Sequence, residues 1–469
     1  MLTSVTDTSA RALCRGRRRG SLCAAALLAC AAALVVTSAC QDARRQDAGP
    51  SGAGRDEASR ADDSIEEGPT PHDSTTPNAP TGKPPARSGK DLAADWARVT
   101  SDARGKTVRM GMWDGDPLIN AYMRDFIAAL LQRRHGVRLQ VVGIQGQMLV
   151  NRMVVEREAG RDVGDLDVVW INGETFYQLR KINALHGPFT HRLPNDAYID
   201  WANPTIAFDF QQRVAGFECP WGNVQQALIF NSRAVPEPPR TVARLGDWIQ
   251  SHPGRFTWDN SFTGMTFLKG MMADLPDGRE LFDGPFDEPR YERVAAELWK
   301  LVRRWKPHLW RRGETFPEDV AQLHQLFAGG EVDFTMSNND GEVDNKVAQG
   351  VLPETARGYV LDSGSIRNTH YLGIPFNAPE KAAALALIDL LISPAAQWEK
   401  AKPAVWGDGS VLSESRLPEE WRTKFGMIEG RTRVPPRASL DRLALPEPAP
   451  ELMIRLHADF RREILEGGS

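Results

Sequence analysis

Between Thr107 and Glu174 one local pattern occurs three times: an apolar strand, a polar loop carrying glycine, and a helix. Thr107 to Met112 alternates as a strand and breaks at Trp113-Asp114-Gly115. Asp116 then stands as an N-cap with Pro117 at the first helical position. Leu118, Tyr122, Phe126, Ile127, Leu130 and Leu131 recur at helical spacing as far as His135, and Gly136 closes the helix. Arg138 to Ile144 repeats the strand, Gln145-Gly146-Gln147 the loop, and the run to Gly160 the helix. Asp167 to Ile171 is an almost unbroken apolar run, as in a strand buried on both faces, and Asn172-Gly173-Glu174 follows it. This predicts a doubly wound α/β fold. Further on, Val214–Phe217 and Gln226–Phe230 read as strands flanking a loop at Cys219-Pro220-Trp221-Gly222. Arg290–Val302 and Glu318–Phe327 read as helices, Val332–Met336 and Tyr371–Ile374 as strands, and Pro379–Leu391 as a helix.

The first ninety residues have a different character. Arg11, Arg15 and Arg17 to Arg19 precede an apolar stretch from Leu22 to Val36, which ends in Thr37-Ser38-Ala39-Cys40. That tripartite order predicts a signal peptide over residues 1–39 rather than a spanning helix. Cys40, directly after small residues, resembles a bacterial lipobox cysteine and is the expected lipidation site. Thr37 stands where lipoboxes usually carry Leu, and the alternative is an ordinary signal peptide cleaved nearby. Residues 40–90 are rich in Pro, Gly, Ser, Thr and Asp. They lack the apolar area to offset ordering entropy and are expected to be a disordered tether of about 40 Å root-mean-square span. Without residues 1–39 the chain has 52 Lys and Arg against 60 Asp and Glu, which argues against nucleic acid or an anionic lipid surface as partner. Cys219 would then be the one cysteine besides Cys40, so no internal disulfide is expected.

Searches for catalytic and cofactor patterns find none: no G-x-S-x-G, phosphate loop, G-x-G-x-x-G, H-E-x-x-H or C-x-x-C. His186 and His191 are spaced as solvated loop residues, and Cys219 reads as a buried thiol. No catalytic residue, metal or cofactor is expected. The positive signal is a set of polar loops at the C-terminal ends of the expected strands, where open α/β sheets bind ligands. They supply Trp113, Asp114, Gln145, Asn172, Glu174, Thr263 and Asn338, joined by Trp221 and Tyr371, as the candidate ligand-binding residues. Each loop alone is equally a helix cap or a turn. Indoles beside Asp114, Asp116, Glu174 and Asp340 favour a flat or cationic solute. Trp170, inside an apolar strand, is expected in the core.

Tyr371-Leu372-Gly373-Ile374-Pro375-Phe376-Asn377-Ala378-Pro379 and Ile392-Ser393-Pro394-Ala395-Ala396-Gln397 resemble a segment of the extracellular solute-binding proteins of ABC importers, which have the two-lobed type II periplasmic binding fold. Gly216 to Gly222 is similar to that family's first hinge crossing. "DLDVVWINGETF" and "PGRFTWDNSFTGMTFLKG" look like its YnjB-type, thiamine-transport branch. The likeness runs from about Lys106 to the C-terminus. It implies a first lobe over 91–216 and 369–469, a second over 217–368, hinge closure on a solute, and delivery to an ABC permease by an exported monomer that touches the membrane through its lipid alone. Thiamine and polyamines suit the acidic, Trp-bearing rim; ferric iron, held by paired tyrosines in relatives, suits a chain with six Tyr poorly. A lipid-anchored hydrolase using Asp114 and Glu174 as a carboxylate pair is the alternative.

Overall fold

The computed structural model describes residues 89–467. The signal peptide, Cys40 and all of the expected tether except Gly89 and Lys90, which open the helix Gly89–Ala103, lie outside the described residues.

In chain order the strands are β1 (Thr107–Met112), β2 (Arg138–Gly143), β3 (Val168–Ile171), β4 (Phe208–Asp209), β5 (Gln212–Arg213), β6 (Glu218–Gln225), β7 (Ala227–Asn231), β8 (Phe334–Ser337), β9 (Ala356–Tyr359), β10 (Ser365–Gly373) and β11 (Ala444–Leu445). The larger sheet has the order β11-β10-β3-β1-β2, and β6 also pairs with β10. β1 runs parallel to β2 and β3, whereas β10 returns antiparallel between β3 and β6. A smaller antiparallel sheet, β8-β7-β9, forms the second lobe. Parallel neighbours require helical crossovers, so the sequence between β1, β2 and β3 is helical and packs on the sheet.

The first crossover shows how the pattern dictates the fold. The Asp116 carboxylate accepts from the amides of Leu118 and Ile119, Pro117 follows, and Gly136 takes a left-handed conformation (φ 67°) as the terminator. Between these caps Tyr122–Ile127 is wound as a π turn, and Ile119, Tyr122, Met123, Ile127, Leu130 and Leu131 are buried. Each such large apolar side chain contributes about 1.5–3 kcal/mol of burial.

Each lobe has its own core. Val108, Met110, Leu131, Leu372 and Leu387 belong to the first, with a satellite of Leu149, Met153, Ile171 and Phe176 on the sheet's other side. The second holds Trp258, Leu268, Tyr291, Trp299, Phe327 and Phe334, together with Leu452, Leu456 and Phe460 of the helix Pro450–Phe460. The end of the chain, which the family likeness assigns to the first lobe, therefore shares its apolar residues with the second. The chain passes between sheets at Gln225-Gln226, where β6 gives way to β7. The amide of Gln226 donates to the Ile366 carbonyl of β10 (2.9 Å) at the return crossing.

Two local expectations are corrected. Val214–Phe217 is a turn, and the expected loop Cys219–Gly222 lies inside β6. Pro220 lacks the amide a regular ladder needs, and β6 accommodates it at a bulge: Gly222 faces His370, Pro220 faces Tyr371, and Trp221 is the extra residue between them.

Candidate functional site

The C-terminal ends of β1, β2 and β3 open on one side of the larger sheet and carry three predicted residues side by side. Trp113 is half-buried against the first core. Asp114 is exposed and its carboxylate lies over Gly143, the last residue of β2. Gln145 is exposed and begins the helix Gly146–Glu158 without a side-chain capping bond. At the end of β3, Asn172 donates to the Oδ1 of Asn368 (3.2 Å) on β10. Across the cleft, Asn338 donates to the Thr263 hydroxyl (3.0 Å), and the Thr263 carbonyl accepts from Gln226 (2.9 Å) at the crossing. The structure thus joins Thr263 with Asn338, and Asn172 with the hinge strand.

Tyr371 and Trp221 lie beneath the cleft instead of lining it. Both are fully buried. The Tyr371 hydroxyl is engaged by the carbonyls of Ile206 (3.2 Å) and Phe208 (3.1 Å). Trp221 is pinned by the bulge and meets Trp170 edge-on at 5.0 Å and Trp406 at 5.3 Å. Trp170 is the partly exposed member of this stack, so the two indoles exchange the positions expected of them. Sequence context explains the error: a Pro-Trp-Gly run looks like a loop, and only strand pairing across β10 shows that it is not. Gly222 is needed here because a side chain would strike His370 and the Asp408 carboxylate. Asp340, expected on the rim, is buried and committed to the Gln225 amide (3.0 Å) and to Arg431.

Two buried polar junctions tie the lobes together. In the first, Asp116 of the first lobe pairs with Lys346 of the second, and Lys346 lies 3.6 Å from Glu342. Glu342 also accepts from the Ser337 hydroxyl and faces His324 Nε2 at 3.7 Å. In the second, Asn368 links Asn172 to Glu447, and Glu447 pairs with the fully buried Lys269. The Lys269 ammonium lies 4.4 Å from the centre of the Phe210 ring. Asp209 accepts from the amide of Gly173, a left-handed residue (φ 54°) against which the Phe210 ring packs too closely for a side chain. Oε2 of Glu174 is buried without a hydrogen-bond partner, as are both oxygens of Glu218. Burial pushes Glu174 up to about 7, and also raises Asp209, Glu218 and Glu447.

Of these groups the sequence pointed to Asp116, Asn172 and Glu174. The Glu342 to Lys346 spacing is a visible helical ion pair, but nothing in it announces a partner in the other lobe. Lys269, in an apolar helix, and Glu447, in a Pro-rich run, carry no local signal at all.

The sequence profile of the bacterial extracellular solute-binding proteins matches residues 125–427. Protein YnjB of Escherichia coli K12 is 35% identical over 335 residues, spanning 70% of this chain and 86% of that protein. The chain belongs to this family. Among solved structures, the Tp0655 (TpPotD) lipoprotein of Treponema pallidum superposes with a TM-score of 0.55 at 15% identity, over 75% of this chain and 97% of that one. The periplasmic binding protein AfuA of Actinobacillus pleuropneumoniae, with fructose-6-phosphate bound, gives 0.55 at 12% identity, over 76% and 98%. The fold is the type II periplasmic binding fold, and the family consists of solute-binding proteins rather than enzymes. The hydrolase alternative is thereby set aside. Family membership makes the chain an extracellular solute-binding protein, exported to bind a small molecule. Among the described residues no group of His, Cys, Asp and Glu is arranged to hold a metal ion.

Proposed function

We propose that this protein captures a small cationic solute, thiamine-like or polyamine-like, between its lobes and hands it to its permease. The observation that carries this reading is the charge balance of the second junction. Glu174, Asp209, Glu218 and Glu447 face Lys269 and Arg180, so carboxylates outnumber cations at the base of the cleft. Added positive charge relieves that excess, and added negative charge worsens it. Asn172, tied through Asn368 to Glu447, offers a hydrogen bond, and Trp170, partly exposed where β3 ends, offers an aromatic face to a flat or alkyl cation. We further propose Trp113, Asp114, Gln145, Thr263 and Asn338 as the remaining rim of the site. A lipid at Cys40 and a tether over residues 40–90 would hold a monomer at the membrane, periplasmic or at the cell surface.

The relatives support the role without choosing the solute: one solved structure of this fold is described as a spermidine/putrescine transporter component, another holds a sugar phosphate. A thermal-shift screen against thiamine, its phosphates, polyamines, amino acids and sugar phosphates tests the proposal. A ligand at about 100 times its dissociation constant adds about 2.7 kcal/mol of stability. Stabilisation by thiamine or a polyamine is the expected result. Stabilisation by an anionic sugar phosphate and by no cation would overturn the charge argument.

A further inference from the structure

The first junction is built differently from a solute site. Asp116 does two things at once: its Oδ1 accepts from the amides of Leu118 and Ile119, and its Oδ2 receives the ammonium of Lys346. Lys346 reaches this carboxylate from the helix Glu342–Ala348 of the opposite lobe, and both side chains are almost wholly buried, 5% and 6% exposed. One turn earlier Glu342 lies on the other side of the ammonium. Ser337 occupies Glu342's Oε2, and His324, positioned by a 2.8 Å contact between its Nδ1 and the Thr335 hydroxyl, faces the Oε1 that lies near Lys346. The result is an ammonium-sized place bounded by one carboxylate from each lobe, with the chain's own lysine in it.

We propose that Lys346 is the built-in cation of the closed cleft. It fills an ammonium site shared by Asp116 and Glu342, fixes the register in which the lobes meet, and keeps solute cations out of that end. The inference rests on the two-lobed binding reading above, but its test needs no knowledge of the solute. An intact buried pair nearly balances its desolvation, so it governs how the lobes meet more than how strongly they do. Removing one partner is different. Without Lys346, Asp116 is stranded without a counter-charge when the lobes are closed and meets water when they open, so the closed form alone is penalised; without Asp116, Lys346 keeps Glu342 and the penalty is smaller. Removing both leaves neither member of the pair stranded.

The lobe separation can be read by pulsed spin-label distances between Glu158→Cys and Glu297→Cys, two exposed helical positions in opposite lobes, in the intact chain without added solute. The wild-type pair is expected at its short, closed distance. Lys346→Met should shift the closed-to-open ratio by about a hundredfold and Asp116→Asn by less, since Glu342 still faces the ammonium, and the double variant should return towards the wild type. Asp116→Asn retains a good helix cap, so it reads the junction even if Lys346→Met fails to fold. In Lys346→Ala, propylammonium should restore the short distance saturably, while tetramethylammonium at equal ionic strength should not. Unchanged distances in both single variants would overturn the proposal. So would single effects that simply add in the double variant, or equal rescue by the two ammonium ions. A failure of the solute proposal would appear differently, as silence in the ligand screen with these distance shifts intact.

Discussion

The two junctions between the lobes use the same chemical groups at similar depth and arrive at opposite electrostatic states. At the first, burial works to raise Glu342 and is outweighed by His324 and Lys346, which bring its carboxyl to about 2; burial works to lower Lys346 and is outweighed by Glu342 and Asp116, so that it is raised. Both are held charged. At the second, burial leads in every case and nothing outweighs it: Glu174 rises to about 7, and Asp209, Glu218 and Glu447 rise with it. The difference lies in how closely each carboxylate is engaged: Glu342 has Lys346, His324 and the Ser337 hydroxyl about it, whereas Oε2 of Glu174 and both oxygens of Glu218 have no hydrogen-bond partner. A balanced cluster acts as a fixed joint, and an acidic one is a place where a proton or a cationic solute lowers the energy.

The strongest way to break this contrast is to remove the ammonium from the acidic junction. Lys269→Met leaves Glu447 and its neighbours with Arg180 as the remaining cation and a fully buried position to fill. Urea unfolding at pH 7 should show a loss of about 3–5 kcal/mol. A loss near zero would mean that the cluster is already neutralised by protons and that Lys269 is not what holds it.

A smaller effect separates the junctions by pH. The folded pKa of Glu174, about 7, lies above its ordinary value of 4.5, so the folded chain binds the proton more tightly than the unfolded one. The stability this gives is full below about 4.5 and is lost as pH rises through about 7. Glu174→Gln should therefore flatten the decline in stability between pH 5 and 8, leaving the residual slope that Asp209, Glu218 and Glu447 contribute. Glu342 titrates near 2 in the folded chain, so Glu342→Gln should leave the slope in that window as it is while lowering stability throughout. Equal flattening by both substitutions would erase the distinction.

What the sequence made legible follows from how local each cause is. The capped helix from Pro117 to His135 and the parallel strands announce themselves, because caps, periodicity and apolar runs act over a few residues. So do the loops at the ends of β1, β2 and β3. The failures are all long-range. Trp221 and Trp170 were exchanged because burial of the first depends on a bulge opposite His370 and Tyr371. Lys269 and Glu447 are far apart in the chain, yet they form one ion pair whose meaning lies entirely in the fold. Asp116 was legible as a cap and illegible as a latch, because its second oxygen serves a residue of the other lobe.

The smallest effect asks which junction a solute approaches. Trp113 stands three residues before Asp116 of the balanced junction, and Trp170 two residues before Asn172, which Asn368 links to the acidic one. Both indoles are partly exposed, and each offers a face to a cation. If the acidic cluster receives the positive charge, Trp170→Ala should weaken binding of a cationic solute by about 1–2 kcal/mol in titration calorimetry, and Trp113→Ala by clearly less. Trp170 also packs on Trp221, Trp406 and His370, so Trp170→Phe is the cleaner partner variant: it keeps an aromatic face and should recover part of the affinity. The reverse order, with Trp113→Ala the more damaging, would move the solute's charge towards Asp114. It would also oblige Lys346 to share the cleft with it, so one pair of titrations bears on both the charge argument and the internal cation.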